Sequence, residues 1–379
     1  MMHKSVAIRL SLLLLLAILP GVIGCAGFFI PPCQANNDCN NTPTSANYVY
    51  VANQTTNTVA GFSLTTGKLA TLSGSPFALQ GSPAAMVTTP GGTLLYTALT
   101  SGSVYVYTIG TNGALTIGNN GTVVASTLLT TNMAIDKTGG WLFLVSSSSP
   151  QLLEYQINTS TGVLTAPTTA SYTLTGGAPT QIYVTPNNAY VYIGLGTGGV
   201  DIFTLNSTTG ALSNHQHLKS LNSTTGADNA IGSDANSKFL FVGETGSGIR
   251  SFTIGTNGGL SEVSGSPFKA GLGPASIVMD PTNAYVYIAN KTASSVAGYT
   301  LGSAGKLTQL SASPFTAGTS PISMSLDATS TYLAVASSGG SPDLQIFSFD
   351  AATPGTLDAA SNATTGTDPT GPIAVSVAQ

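Results

Sequence analysis

The chain has 379 residues, of which 42% are hydrophobic, only 6% are charged and 44 are glycine. Its formal net charge is −4, so it has no basic surface to neutralise a phosphate backbone, which argues against nucleic acid as a partner. Glu, Lys and Arg, which sustain exposed helices, are scarce; with abundant Ser, Thr and Asn this favours β-rich extracytoplasmic material over a cytosolic enzyme.

The N-terminus predicts a signal peptide over residues 1–24. Lys4 and Arg9 form a positive region, Leu10 to Leu19 an apolar run too short to span a bilayer comfortably, and Pro20-Gly21 breaks the helix. Val22-Ile23-Gly24-Cys25 resembles a bacterial lipobox, which implies lipidation of Cys25 as the new first residue; the alternative is ordinary secretion with cleavage near Gly24 or Ala26. Either route takes the protein out of the cytoplasm, and loss of Lys4 and Arg9 lowers the net charge to −6. Cys33 and Cys39 then remain as a pair in an oxidising compartment, where a small disulfide loop is expected. Residues 25–47, rich in Pro and Asn, predict a tether that holds the following domain away from a membrane.

From residue 48 one pattern recurs seven times. Tyr48-Val-Tyr-Val-Ala-Asn53 returns in related form at positions 94, 141, 190, 239, 285 and 332, with spacings between 46 and 49 residues. Short alternating apolar runs at a period in the forties predict a β-propeller, one blade of four antiparallel strands per repeat. The predicted fold is all-β, a seven-bladed propeller over 48–379 in a single domain. Within each repeat the strands run A, B, C, D, and the Tyr-Val-Tyr unit is strand B. The turns from A to B, such as Asp136-Lys-Thr-Gly-Gly140, Asp280-Pro-Thr-Asn283 and Asp327-Ala-Thr-Ser330, have tight-turn chemistry, so their aspartates are read as structural. The first repeat begins at strand B, whereas the chain ends on Pro372-Ile-Ala-Val-Ser-Val377, which matches a strand A. The C-terminal strand is therefore expected to enter the N-terminal blade as its innermost strand and close the ring.

The Tyr-Val-Tyr-Val-Ala-Asn units, the Pro-rich A strands and the Asn57-Thr-Val-Ala-Gly-Phe62 type of C strand resemble those of the YVTN-repeat, lactonase-type seven-bladed propellers. The Ser73-Gly-Ser-Pro-Phe77, Ser264-Gly-Ser-Pro-Phe268 and Ser311-Ala-Ser-Pro-Phe315 segments resemble those of secreted bacterial members. That family includes 6-phosphogluconolactonases and carboxymuconate lactonising enzymes as well as surface propellers without established chemistry, so the resemblance implies fold more strongly than activity.

In this topology the D–A and B–C loops share one face around the channel mouth. Aligned A strands place Ala85, Asn132, Gln181, Asn229, Ser276, Ser323 and Ala374 near that mouth. Asn132, Gln181, Asn229, Ser276 and Ser323 form a neutral polar ring able to hydrogen-bond a ligand or to line a solvated channel. Charge gathers on the fifth repeat, where Asp228, Glu244 and Arg250, the one arginine after the signal peptide, form a candidate catalytic cluster. A carboxylate beside a guanidinium suits an anionic substrate and an activated water; a hairpin salt bridge explains the same pair. Lys291 is the one other basic group expected near this mouth, which counts against the phosphorylated or carboxylated substrates of lactone-processing relatives. His215 and His217, two apart on a D strand, point to one face, but no third metal ligand is evident.

No cofactor or metal is expected. The favoured reading is a lipid-anchored extracytoplasmic binding or scaffold module for a carbohydrate, a peptide or an envelope component. The alternative is a lactonase-type hydrolase on a small lactone, and a third reading lets exposed D-strand edges pair with another chain.

Overall fold

The computed structural model describes residues 47–126, 129–146, 148, 150–167, 171–221, 228–340, 342–365 and 372–378, the side chains of 228, 229 and 372–378 excepted. The signal peptide, the tether up to residue 46, Cys25, Cys33 and Cys39 lie outside the described residues.

Seven antiparallel sheets follow the repeats, each ordered A-B-C-D. The B strands begin at Tyr48, Leu94, Trp141, Tyr190, Phe239, Tyr285 and Tyr332, the residues at which the sequence pattern starts. In blade 1 the C-terminal strand, Pro372–Ala378, pairs with Tyr48–Asn53, so the two ends of the chain share one sheet. The inner strands, in blade order Pro372–Ala378, Pro83–Thr88, Thr130–Ile135, Gln181–Val184, Asp228–Ser233, Pro274–Met279 and Thr319–Leu326, each touch the two beside them. They thereby surround a central channel.

The B strands are almost wholly buried, because both faces of each sheet pack on neighbouring blades; this is why they read as continuous apolar runs. Their tyrosines have a further task. The hydroxyls of Tyr50, Tyr96, Tyr192 and Tyr287 donate to the carbonyls of Gly113, Gly162, Gly258 and Gly355, each in the C–D turn of the next blade, at 2.7–3.0 Å. Burial raises these phenols above their ordinary pKa, so they stay neutral donors. The recurring Ser-Pro segment splits strand D. The hydroxyls of Ser75, Ser266 and Ser313 accept the N–H of Gly61, Ser251 and Gly298 on strand C at 2.9–3.2 Å. A Cβ on Gly61 would meet the Phe77 ring at 2.8 Å, and one on Gly298 the Phe315 ring at 3.0 Å, so the phenylalanine of the segment fills the space that these glycines leave.

The A–B turns are capped as expected. Asp280 accepts from the N–H groups of Thr282, Ala284 and Tyr285 at 2.9, 2.8 and 2.7 Å and from the Thr282 hydroxyl. Thr89 and Thr185 stand in for aspartate in blades 2 and 4, accepting the N–H of Leu94 and Tyr190.

Candidate functional site

Glu244 closes strand B of blade 5 (Phe239–Glu244) and Arg250 lies on strand C (Gly248–Ile254), two residues past the short B–C turn. Arg250 Nη1 donates to Glu244 Oε1 at 3.0 Å and to the Lys219 carbonyl at 3.2 Å. The other edge of the guanidinium is taken by Glu262 on strand D, with Nε to Oε1 at 3.1 Å and Nη2 to Oε2 at 2.9 Å. Its Cζ lies over the Phe252 ring, 4.7 Å from the ring centroid. The Glu244 side chain is 0% exposed and that of Arg250 5%. Burial opposes the charge on Arg250, but the hydrogen bonds it donates to Glu262 and Glu244 outweigh this and hold the pKa above the ordinary arginine value; Arg250 in turn lowers Glu262. This is an ion triad with four of the five guanidinium donors already engaged, while Glu244 Oε2 is buried without a hydrogen-bond partner among the described residues and Glu262 reaches the surface. Asp228 is the register partner of Glu244 on strand A, and its side chain lies outside the described residues.

Glu262 was not singled out by the sequence. The register of the C–D hairpin, which sets Phe252 opposite Glu262, carried that signal, but the hairpin's loop length had to be known first.

Three members of the polar ring bond across to the next blade. Gln181 Oε1 accepts the Ile231 N–H at 2.6 Å, Asn132 Oδ1 the Ile182 N–H at 3.4 Å and Ser276 Oγ the Met324 N–H at 3.1 Å. Strand A is an edge strand, and its inward N–H groups need acceptors; the preceding blade supplies them. Ser323 also has a bonding partner, and the Asn229 side chain lies outside the described residues.

Along the channel wall of blades 4 to 7 lies an open cavity of about 690 Å³. Its walls mix apolar side chains such as Ile277, Met279 and Met324 with the hydroxyls of Tyr183, Ser233 and Ser276. Tyr183 Oη and Ser233 Oγ are hydrogen-bonded at 3.0 Å, and burial raises the phenol. Asp280 is the carboxylate among the lining residues, and its oxygens are held by its own turn.

His215 and His217 do face the same way. Both meet the fully buried Asp201, His215 Nε2 at 3.0 Å and His217 Nδ1 at 2.8 Å, while the Thr175 N–H donates to the same carboxylate at 2.7 Å. The His215 ring stacks on Phe203 at 4.5 Å. Among the described residues, no group of three His, Cys, Asp or Glu is arranged to hold a metal ion. Glu154, which the sequence reading passed over, is buried on strand C of blade 3 (Gln151–Ile157); burial raises its carboxyl to about 7, and a 3.3 Å hydrogen bond from Tyr172 offsets this only partly.

A seven-bladed propeller latched by its own C-terminal strand defines the class. The family model "Lactonase, 7-bladed beta-propeller" matches residues 42–183 and 175–374, and the chain belongs to that family. Similar solved structures include the periplasmic gluconolactonase of Pseudomonas aeruginosa, 14% identical with a TM-score of 0.70, covering 88% of this chain and 99% of that one. A candidate 6-phosphogluconolactonase from Bacteroides fragilis is 17% identical with a TM-score of 0.68 over 89% of this chain and 99% of its own. A Lactobacillus plantarum protein is 16% identical with a TM-score of 0.67 over 88% and 99%. A search of curated proteins found none that matches.

Proposed function

We propose that this lactonase-family propeller is an extracytoplasmic binding or scaffold module, anchored by a lipid on Cys25, that takes a carbohydrate, a peptide or an envelope component in its channel. The observation that carries the reading is the chemistry of the channel cavity: hydroxyl and apolar groups, with its carboxylate, Asp280, spent on a turn. Such a wall orients a ligand, and among the described residues that line it none is a free base to activate water. The pairing of Arg250 with buried Glu244 and with Glu262 at the surface supports the same reading, since the guanidinium is already held by two carboxylates. Family membership and neighbours described as lactonases favour a lactone hydrolase as the second reading.

Titration calorimetry of the folded protein against neutral glycans and short peptides, with a hydrolysis assay on neutral and anionic lactones, separates the two. Binding without turnover is the expected result. Lactone hydrolysis that disappears in Glu244→Gln and Arg250→Ala, both still folded, would replace the binding module with an enzyme whose site lies on blade 5. Release of the protein from the membrane fraction by Cys25→Ser is expected for the anchor.

A further inference from the structure

At the A–B-turn end of the channel the turn carboxylates are spent. Asp327 accepts from Asn47 Nδ2 at 2.6 Å, from the N–H groups of Thr329, Thr331 and Tyr332, and from the Thr329 hydroxyl. Asp136 accepts from Asn188 Nδ2 at 2.8 Å, from the N–H groups of Thr138, Gly140 and Trp141, and from the Thr138 hydroxyl. Lys137, the next residue, is different. Its backbone N–H is bonded to Asn188 Oδ1 at 2.9 Å, but its ammonium makes no ion pair with the described residues.

The Lys137 side chain lines an open cavity of about 350 Å³ with Thr88, Ile135, Asp327 and Ser330, so the walls come from blades 2, 3 and 7. Lys137 is exposed to solvent at the rim of that cavity; nearby protein lowers the amine below its ordinary value, against the pull of Asp136. A cation at the rim of such a cavity, with no ion-pair partner among the described residues, gains from an anion that brings matching charge and acceptors. The larger channel cavity shares Leu326 and Ser330 with this one, so a ligand held at Lys137 has a path along the hydroxyl-bearing wall.

We propose that the A–B-turn mouth of the channel is an anion site, in which Lys137 holds the carboxylate of a small organic acid whose body extends along the wall toward Ser276, Ser233 and Tyr183. The proposal rests on the channel as a binding site and adds the ligand class. It also places the entrance at the mouth opposite the D–A loops.

The test is calorimetric titration of the full protein with sodium acetate, hexanoate and galacturonate, and with galactose, a neutral sugar differing from galacturonate at one carbon. Wild type, Lys137→Gln and Lys291→Gln are compared, the last as an exposed lysine away from this mouth. Wild type and Lys291→Gln are expected to bind galacturonate at least about tenfold tighter than galactose, and Lys137→Gln to lose that preference with unchanged thermal unfolding. Trace acetylation read by mass spectrometry is expected to label Lys137, with galacturonate protecting it. Equal binding of galactose and galacturonate by wild type and Lys137→Gln would overturn the anion site and leave the binding module standing. Failure of all three acids to bind folded wild type overturns the anion site as well, while the glycan and peptide titrations decide the module separately.

Discussion

Glu154 carries a pH dependence that follows from burial alone. With its folded pKa near 7 against an ordinary value of 4.5, the folded state favours the protonated carboxyl. Its contribution is complete below the unfolded pKa and is lost as pH rises through the folded one. Stability is therefore expected to fall by up to about 3 kcal/mol between pH 4.5 and 8 on account of this residue. Glu154→Gln should flatten that slope in urea unfolding run at pH 5 and pH 8; parallel slopes for variant and wild type would refute it. The sequence marked Glu154 only as one polar letter in an alternating strand, because its partner Tyr172 comes from strand D of the same blade. Arg250 was legible as an isolated cation near Glu244, but its engagement with Glu262 depended on hairpin register.

The A–B turn is the element whose chemistry the sequence states most openly, since Asp at its first position must cap the N–H groups that follow. Asp280→Ala leaves the N–H groups of Thr282, Ala284 and Tyr285 without that acceptor and is expected to cost about 2–4 kcal/mol in denaturant unfolding. Asp280→Thr, the arrangement that blades 2 and 4 use naturally, should recover part of the loss; no difference between the two variants would show that the cap contributes little. What the turn sequence hides is its second use. Asn188 donates to Asp136 of the preceding blade, and Asn283 lies opposite Asp234 in the same way. Such partners stand about one repeat apart, so no local pattern couples them. The tyrosine of strand B is a similar case: periodicity announces it, but the glycine carbonyl that it meets is found only when blades are set side by side.

At the scale of the molecule, closure is the decisive event. Asn47 reaches Asp327 of blade 7 and the Ala328 N–H, while Thr365 binds both Asn53 and Asp343, so the first and last blades are joined by side chains as well as by the shared sheet. Removal of residues 372–379 strips blade 1 of its inner strand and takes away a neighbour from the inner strands of blades 2 and 7. Loss of the single cooperative transition in scanning calorimetry is expected, and an unchanged thermogram would show that the latch is dispensable. The repeat starts, the strand order, the capping role of the turn aspartates and the C-terminal latch were all readable from the sequence by itself, because each depends on spacing within a blade or on which strand is missing at an end. The bonding of Asn132, Gln181 and Ser276 to neighbouring inner strands, the engagement of Arg250 by Glu244 and Glu262, and the lack of an ion pair to Lys137 among the described residues were decided by the tertiary structure. The polar-ring bonds join neighbouring blades and the Arg250 contacts join strands B, C and D of one blade, so strand register and the closed ring set the distances between them.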